Sequence, residues 1–301
     1  MNFTVIIPSY NYAQFIEMAI RSVINQAYKA REIIVIDDGS TDDTRAVIKT
    51  LQDKSTGHNI CYYCQENRGV SAARNLGYQK SLGAYVMFLD ADDKLLPNAF
   101  EHFNLAISSN KEAEMIFGGY RAISYSGKVR NRQPEKLALN RLHNAAKLFG
   151  GDMVGLRPSS TILKRSVMEE LKFSEKVHVD EDTMFFSHVF ANYNCVSIPE
   201  ILVEMLQHSG SLRENYQRIV ETGVQGVDEL FDSLPDLPDL NALKQHVLLK
   251  RYLKIGRKAC ICHEYKVAVQ NYVQAFRLKP SSIFSWKHFP RLIKSLILQA
   301  L

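Results

Sequence analysis

Short apolar runs alternate with segments of helical periodicity along the first hundred residues. Residues 3–7 form a strand-like run closed by Pro8, and residues 14–25 place Phe15, Ala19, Ile20, Val23 and Ile24 on one helical face. Residues 32–36 are a continuous run rich in β-branched side chains, the pattern of a strand buried on both faces. The turn Asp37-Asp38-Gly39-Ser40 follows, and Thr41 or Asp42 can cap a helix that runs to Leu51. Residues 60–64 read as a third strand and 71–82 as a helix. Residues 84–89 form a fourth strand, which runs into Asp90-Ala91-Asp92-Asp93. This alternation predicts an α/β sheet. Ligands collect beyond the carboxyl ends of strands in open parallel sheets. The polar clusters after Ile7, Ile36 and Leu89 are therefore candidate site segments, joined by the one after Cys64 if its strand is parallel.

From residue 97 to about 215 the pattern is mixed. Helices are expected near 99–109, 140–149 and 183–191, and strands near 114–117, 161–164 and 195–198. Leu234-Pro235-Asp236-Leu237-Pro238 reads as a hinge or helix break. Beyond it, residues 240–262 and 265–278 predict a helical hairpin closed by Pro280. Gly256, Ala259, Tyr265, Ala268, Tyr272 and Ala275 follow the small/aromatic spacing of one tetratricopeptide-like helix pair. The expected division is 1–215 for the α/β domain and 216–301 for a helical C-terminal region.

With 46% hydrophobic and 23% charged residues, disordered and collagen-like chains are excluded. No apolar run is long enough for a membrane-spanning helix, and the N-terminus lacks signal-peptide features, so a cytoplasmic protein is expected. Five cysteines suit a reducing compartment. Cys61 and Cys64 fall in a strand pattern and Cys260 and Cys262 in a helical one. Packed thiols are expected there rather than zinc ligands, which usually sit on turns. Charge is unevenly spread: residues 244–301 hold 12 of the 37 Lys and Arg but only Glu264 of the 32 Asp and Glu. Two units with different partners follow from that split.

At a strand end, Asp90 and Asp92 can reach a hard cation and, through it, a diphosphate, whose departure the cation would assist as a Lewis acid. A solvated turn would carry the same residues. Four segments, however, resemble the family 2 glycosyltransferases in order and spacing. They are Val5-Ile6-Ile7-Pro8-Ser9-Tyr10-Asn11-Tyr12, Ile36-Asp37-Asp38-Gly39-Ser40-Thr41-Asp42-Asp43-Thr44, Glu66-Asn67-Arg68-Gly69-Val70-Ser71-Ala72-Ala73-Arg74-Asn75-Leu76-Gly77 and Phe88-Leu89-Asp90-Ala91-Asp92-Asp93. The resemblance implies a GT-A nucleotide-diphospho-sugar fold, a Rossmann-like mixed sheet flanked by helices, followed by a C-terminal α-helical extension. Residues 1–95 would be its nucleotide-sugar half and 96–215 its acceptor half.

Carried over, the resemblance implies that Pro8, Ser9 and Tyr10 line the base pocket and that Asp38 accepts from the base or ribose. Uracil N3–H or ribose hydroxyls suit a group that can only accept. Arg68 would face the nucleotide or diphosphate, with Arg74 and Asn75 ranked below it. Asp92 would bind Mn²⁺ or Mg²⁺, with Asp90 near the ribose or the metal's water shell. Val179-Asp180-Glu181-Asp182 resembles the family's Glu-Asp motif, which assigns the general base to Asp182, then Glu181, then Asp180. The segment 203–211 resembles the family's closing segment and offers His208 to the metal or diphosphate and Ser211 to a phosphate oxygen, although Met205-Leu206 stands where an arginine is common. Pro158-Ser159-Ser160-Thr161 resembles a strand entry on the acceptor side.

The expected activity is inverting transfer from a nucleotide diphosphate sugar, a UDP-sugar first, to a glycan or lipid-linked acceptor. A nucleotidyltransferase and an inactive sugar-nucleotide-binding assembly partner are the rivals. No nucleic-acid motif accompanies the basic tail. Pro290 can start a helix with Leu292, Ile293, Leu296, Ile297 and Leu301 in one stripe beside Arg291 and Lys294. That stripe suits peripheral contact with an anionic membrane, a homodimer interface or packing on the hairpin.

Overall fold

All seven residues of strand β1 (Phe3–Ser9) and all six of β2 (Glu32–Asp37) are buried in the computed structural model of the chain. The structure describes residues 2–124, 126–150, 153, 155–177, 180–206, 224–232, 240–284 and 288–299. β1 and β2 are buried because helices cover both faces of the sheet. Val5, Ile7, Ile33, Val35, Met87 and Leu89 point to one face and pack with helices α1 (Ala13–Ile24), α2 (Thr44–Lys54) and α4 (Ala99–Ser109). The alternate residues Ile6 and Ile36 meet Gly77 of α3 (Val70–Lys80) on the other face. Glu32 is buried at the start of β2 because its carboxylate accepts from Thr4 Oγ1 and the Leu82 N–H, both at 2.6 Å.

The sheet has nine strands among the described residues. β1 pairs in parallel with β2 and with β4 (Tyr85–Phe88), and β2 in parallel with β3 (Ile60–Cys64). The order β3-β2-β1-β4 reverses direction between β1 and β4, so the crevice at their carboxyl ends is a topological switch point. β8 (Thr161–Lys164) is antiparallel to β4. β6 (Met115–Ile123) is antiparallel to β8, and β9 (Cys195–Leu206) is parallel to β6. The short β5 (Asp93–Leu95) leaves the acidic turn and pairs antiparallel with β9.

The observed strands depart from the sequence pattern in the second half. β9 has 12 residues where only 195–198 is expected, because most of its positions are only partly buried and give no clean alternation. β5 has three residues, and β7 (Val129–Arg132) is exposed throughout, so neither carries a hydrophobic signal. β7 forms a hairpin with residues 120–123 of β6, whereas residues 115–117 of β6 pair with β8. The change of neighbour falls at Gly118-Gly119, where the register with β9 shifts. A Cβ on Gly118 would run into Leu202, and one on Gly119 into the Arg132 carbonyl.

Two compact units emerge, the first of Met1–Asn144, Met153–Lys176 and Val189–His208, which contains the sheet. The second comprises Ala145–Asp152, Val177–His188 and Ser209–Leu301, so residues 145–152 and 177–188 group with the C-terminal helices rather than with the α/β core. After α5 (Arg141–Phe149) and α6 (Arg165–Glu170) in the chain comes α7 (Glu181–Asn192), whose first residues lie in the second unit together with α8 (Gln225–Asp232), α9 (Leu240–Ile261), α10 (Tyr265–Leu278) and α11 (Phe289–Gln299). α9 and α10 form the expected hairpin, with Ala259, Ala268 and Tyr272 fully buried and Gly256 against the Tyr272 ring. Its turn uses His263 in the left-handed region at φ 64°, with the Glu264 N–H closing on the Ala259 carbonyl. The expected stripe of α11 is divided. Leu292 packs on the hairpin core and Ser295 is buried beside Cys260 Sγ at 3.0 Å, while Ile293, Leu296 and Ile297 are exposed. Leu301 and the 234–238 segment lie outside the described residues. The packed-thiol expectation needs correction at Cys64 and Cys262, which are exposed because Cys64 ends β3 and Cys262 lies in the turn just past α9.

Gly77 allows α3 to lie directly on the sheet, since a Cβ there would overlap the Ile6 side chain. Gly77→Ala is therefore expected to destabilise the fold by about 1–3 kcal/mol, the usual scale of overpacking, despite the better helix propensity of alanine. Chemical denaturation of the two proteins measures this, and an unchanged midpoint would contradict the packing.

Candidate functional site

The polar segments at the carboxyl ends of β1, β2, β3 and β4 are stitched to one another. The Asp38 N–H donates to the Ser9 carbonyl at 2.8 Å, which joins the ends of β1 and β2. Asn11, at φ 56°, accepts from the Thr41 N–H at 2.8 Å and donates its own N–H to Ser40 Oγ at 2.9 Å. Asp42, rather than Thr41, serves the helix starts. One of its oxygens accepts from the Ala13 N–H, the other from the Thr44 N–H and hydroxyl. Burial pushes the Asp42 carboxyl up, but the bonds from Thr44 and Ala13 outweigh it and hold the group below its ordinary value.

Asp37 and Asp38 divide the work of their turn. Asp37 accepts from the Ser40 N–H at 2.8 Å and from the Tyr62 hydroxyl at 2.7 Å. Burial and then that bond raise the Tyr62 phenol above its ordinary value. Asp38 is buried and holds the loop after β3: it accepts from Gln65 Nε2 at 2.7 Å, the Arg68 N–H at 2.9 Å and the Gly69 N–H at 2.8 Å. Three of the roughly four acceptor positions of its carboxylate are thus occupied within the chain. Gly39 (φ 80°) and Gly69 (φ 90°) supply the left-handed conformations that this arrangement needs. Tyr10 is exposed at the end of β1, whereas Ser9 is buried. Ser9 Oγ and Ser71 Oγ are buried without a hydrogen-bond partner among the described residues.

The acidic turn is clamped from two sides. Arg74, 3% exposed on α3, pairs with Asp90 at 3.0 Å and stacks over the Phe173 ring at 5.1 Å. Ser159 Oγ accepts from the Asp90 N–H at 3.1 Å and donates to the buried Asp93 at 2.5 Å. Asp92 is half-buried between them. Tyr12 stands in the field of this turn: burial first, then Asp92, Asp90 and Asp93, push its phenol well above its ordinary value and keep it neutral. Arg68 is mostly exposed and paired with Glu175 at 2.7 Å. Asn75 locks the same segment by exchanging hydrogen bonds with the Phe173 backbone at 2.9 and 3.0 Å.

Arg74, Tyr12, Gln65 and Ser159 are the residues that spacing alone undervalues. The available signal for Arg74 is a cation on the inward face of a short helix, where an unpaired charge would be costly. Tyr12 enters only as the last residue of the first matching segment, and nothing in the pattern marks Gln65.

The proposed base segment belongs to the second unit. Glu181 and Asp182 open α7, and Asp182 accepts from the Thr183 N–H at 2.6 Å. Asp180 is committed elsewhere, to Arg251 and to Lys254 at 2.9 Å. Burial raises its carboxyl, but Lys254 and Arg251 outweigh this and hold it below its ordinary value, which makes it a weak proton acceptor. His208 and Ser211 lie outside the described residues.

The family model of glycosyl transferase family 2 matches residues 4–172. The GalNAc(5)-diNAcBac-PP-undecaprenol beta-1,3-glucosyltransferase of Campylobacter jejuni is 30% identical over 191 residues, 60% of this chain and 58% of that relative. The chain spans less than a fifth of two other relatives, a glycosyltransferase of Rickettsia bellii and GlyA of Streptococcus pneumoniae. The S. aureus TarS 1-349 structure in complex with UDP-GlcNAc has a TM-score of 0.59 at 18% identity, covering 98% of this chain and 80% of that one. Mannosyltransferase PcManGT from Pyrobaculum calidifontis, in complex with GDP-Man and Mn²⁺, has a TM-score of 0.61 at 15% identity, covering 99% and 85%. At these identities the likeness establishes the fold, which is of the GT-A type. The matched span runs from β1 past Ser159 and contains the whole clamped acidic turn, and on that evidence this chain belongs to glycosyl transferase family 2.

Proposed function

We propose that the chain moves a sugar, with inversion, from a UDP-sugar to a hydroxyl of a glycan or lipid-linked acceptor. The observation that carries this reading is the acidic turn at the β1/β4 switch point, held in shape by Arg74 and Ser159 beside the loop that Asp38 fixes. Donor recognition falls to Pro8, Ser9 and Tyr10, the last exposed enough to stack on a base, and to the remaining acceptor capacity of Asp38. Arg68 serves the diphosphate once it leaves Glu175.

Among the described residues no group of three or more His, Cys, Asp or Glu is placed to hold a cation alone. One or two carboxylates completed by substrate phosphates are nevertheless the usual Mg²⁺ arrangement, and Asp92 with Asp90 fits it. His208 is proposed as a further ligand. A bound Mn²⁺ or Mg²⁺ would supply Lewis-acid stabilisation of the departing diphosphate. Asp182 takes the proton of the acceptor hydroxyl as that oxygen attacks the anomeric carbon, with Glu181 the alternate. The UDP-GlcNAc of TarS and the undecaprenol-linked acceptor of the Campylobacter relative support the choice of donor and acceptor classes.

Peripheral membrane contact fits a lipid-linked acceptor. No helix among the described residues is long and apolar enough to cross a membrane. α11 instead exposes Phe289, Ile293, Leu296 and Ile297 next to Lys294, in a region where basic residues far outnumber acidic ones.

Asp92→Asn is expected to lower UDP release from UDP-sugars with Mn²⁺ by about 100-fold or more, the scale of losing a stabiliser of transition-state charge. Retained activity would contradict its role. Asp182→Asn is expected to lose about 10²–10⁴-fold in kcat while donor binding by calorimetry stays unchanged. Full transfer by this variant would remove the proposed base. Replacing Ile293 and Ile297 together with Asp should abolish co-sedimentation with phosphatidylglycerol vesicles. Unchanged lipid binding would sink the membrane contact, and a dimer dissociated by the same change would assign the face to a second copy.

A further inference from the structure

Asp180 is a non-glycine residue in the left-handed region, at φ 60°, one position before α7. Its carbonyl accepts from the Met184 N–H at 3.0 Å, so the first turn of that helix hangs from it. The side chain is held by α9, 71 positions further along the chain. Arg251, only 7% exposed, bonds one carboxylate oxygen, and Lys254 reaches both oxygens at 2.9 and 3.1 Å. Side chains other than glycine take this backbone conformation at a cost, which asparagine and aspartate tolerate best and which persists only where surrounding contacts over-determine it. The two cations supply such contacts. They also engage both Asp180 carboxylate oxygens with positive charge, leaving Asp182 as the better group for proton transfer.

We infer that α9 is a positioning element for the transfer step: through Arg251 and Lys254 it fixes Asp180, and with it the backbone from which Glu181 and Asp182 project. The inference rests on the reading of Asp182 as the base. It gives the basic C-terminal region a part in catalysis separate from any membrane contact. Arg251 and Lys254 are positioning residues that act through Asp180, and their loss should affect turnover rather than donor affinity. A planar guanidinium on a carboxylate is geometrically more demanding than an ammonium, so Arg251→Lys should restore only part of what Arg251→Met removes.

The test compares Arg251→Met, Arg251→Lys, Lys254→Met and Asp182→Asn in the full chain. The readouts are UDP release, UDP-GlcNAc titration and amide hydrogen exchange over residues 181–184. Arg251→Met is expected to lower kcat at least tenfold, with the donor dissociation constant changed less than twofold. Exchange in the first turn of α7 should be at least tenfold faster, and Arg251→Lys should fall between this variant and wild type. Lys254→Met, at a half-exposed position, keeps the test valid if Arg251→Met does not fold; it should lose kcat several-fold with the same exchange signature. Unchanged kcat in Arg251→Met and Lys254→Met, with Asp182→Asn inactive, would overturn the positioning role. Full turnover in Asp182→Asn would remove the base assignment instead, and the two failures are thereby distinguished.

Discussion

The site depends on a guanidinium withdrawn from water. Arg74 is 3% exposed, and a cation in that position is tolerable only with a partner of opposite charge. Asp90 supplies it across the crevice at the strand ends, and the Phe173 ring covers the other side of the guanidinium. Removing one partner from a fully buried pair costs about 3–5 kcal/mol; the 30% exposure of Asp90 puts this pair below that. Stability is not its main consequence. The pair ties a helix on one face of the sheet to the turn that β4 delivers, so the orientation of Asp90 is set by the packing of α3. Gly77, on the same helix, brings α3 close enough to the sheet for that reach.

The first hundred residues were largely legible from sequence because their signals are local. Residues 3–7 and 32–36 are apolar runs of strand length, and helical periodicity follows each. Charged turns with glycine mark the places where the chain reverses. The order and spacing of those turns carried the family resemblance, and the family match starts at the same strand. What the pattern could not convey was the division of labour among like residues. Asp37 and Asp38 are adjacent carboxylates, yet one takes a tyrosine hydroxyl and the other two backbone N–H groups of a loop about thirty residues away. Arg68, in the loop before α3, is mostly exposed, whereas Arg74 is buried because it lies on the inward face of that helix. Such assignments are tertiary facts, and a chain read in one dimension contains no measure of them.

The second half was harder for a different reason. β5 and β7 are short or fully exposed, and β9 is partly exposed along most of its length, so burial leaves no period of two to read. The C-terminal hairpin was legible, since close helix packing demands small residues opposite Tyr272. The ownership of residues 177–188 was not. Their grouping with the C-terminal helices follows from ion pairs and packing to segments far along the chain, including Arg251 and Lys254 on Asp180.

Gly118-Gly119 has a consequence for how such a chain can diversify. At these two positions β6 exchanges one neighbour for another, and side chains are excluded by Leu202 and by the Arg132 carbonyl. On the far side residues 120–123 of β6 stay paired with β9, and only β7, reached through the turn closed by the Ser124 N–H on the Lys128 carbonyl, is exposed throughout. The exposed hairpin tip could lengthen while the β8–β6 and β6–β9 pairings stay in place. Arg130 and Arg132 keep its outer edge charged, which discourages pairing with a foreign strand. The molecule thus carries an exposed edge hairpin whose tip can drift in sequence while the crevice at the strand ends keeps its geometry.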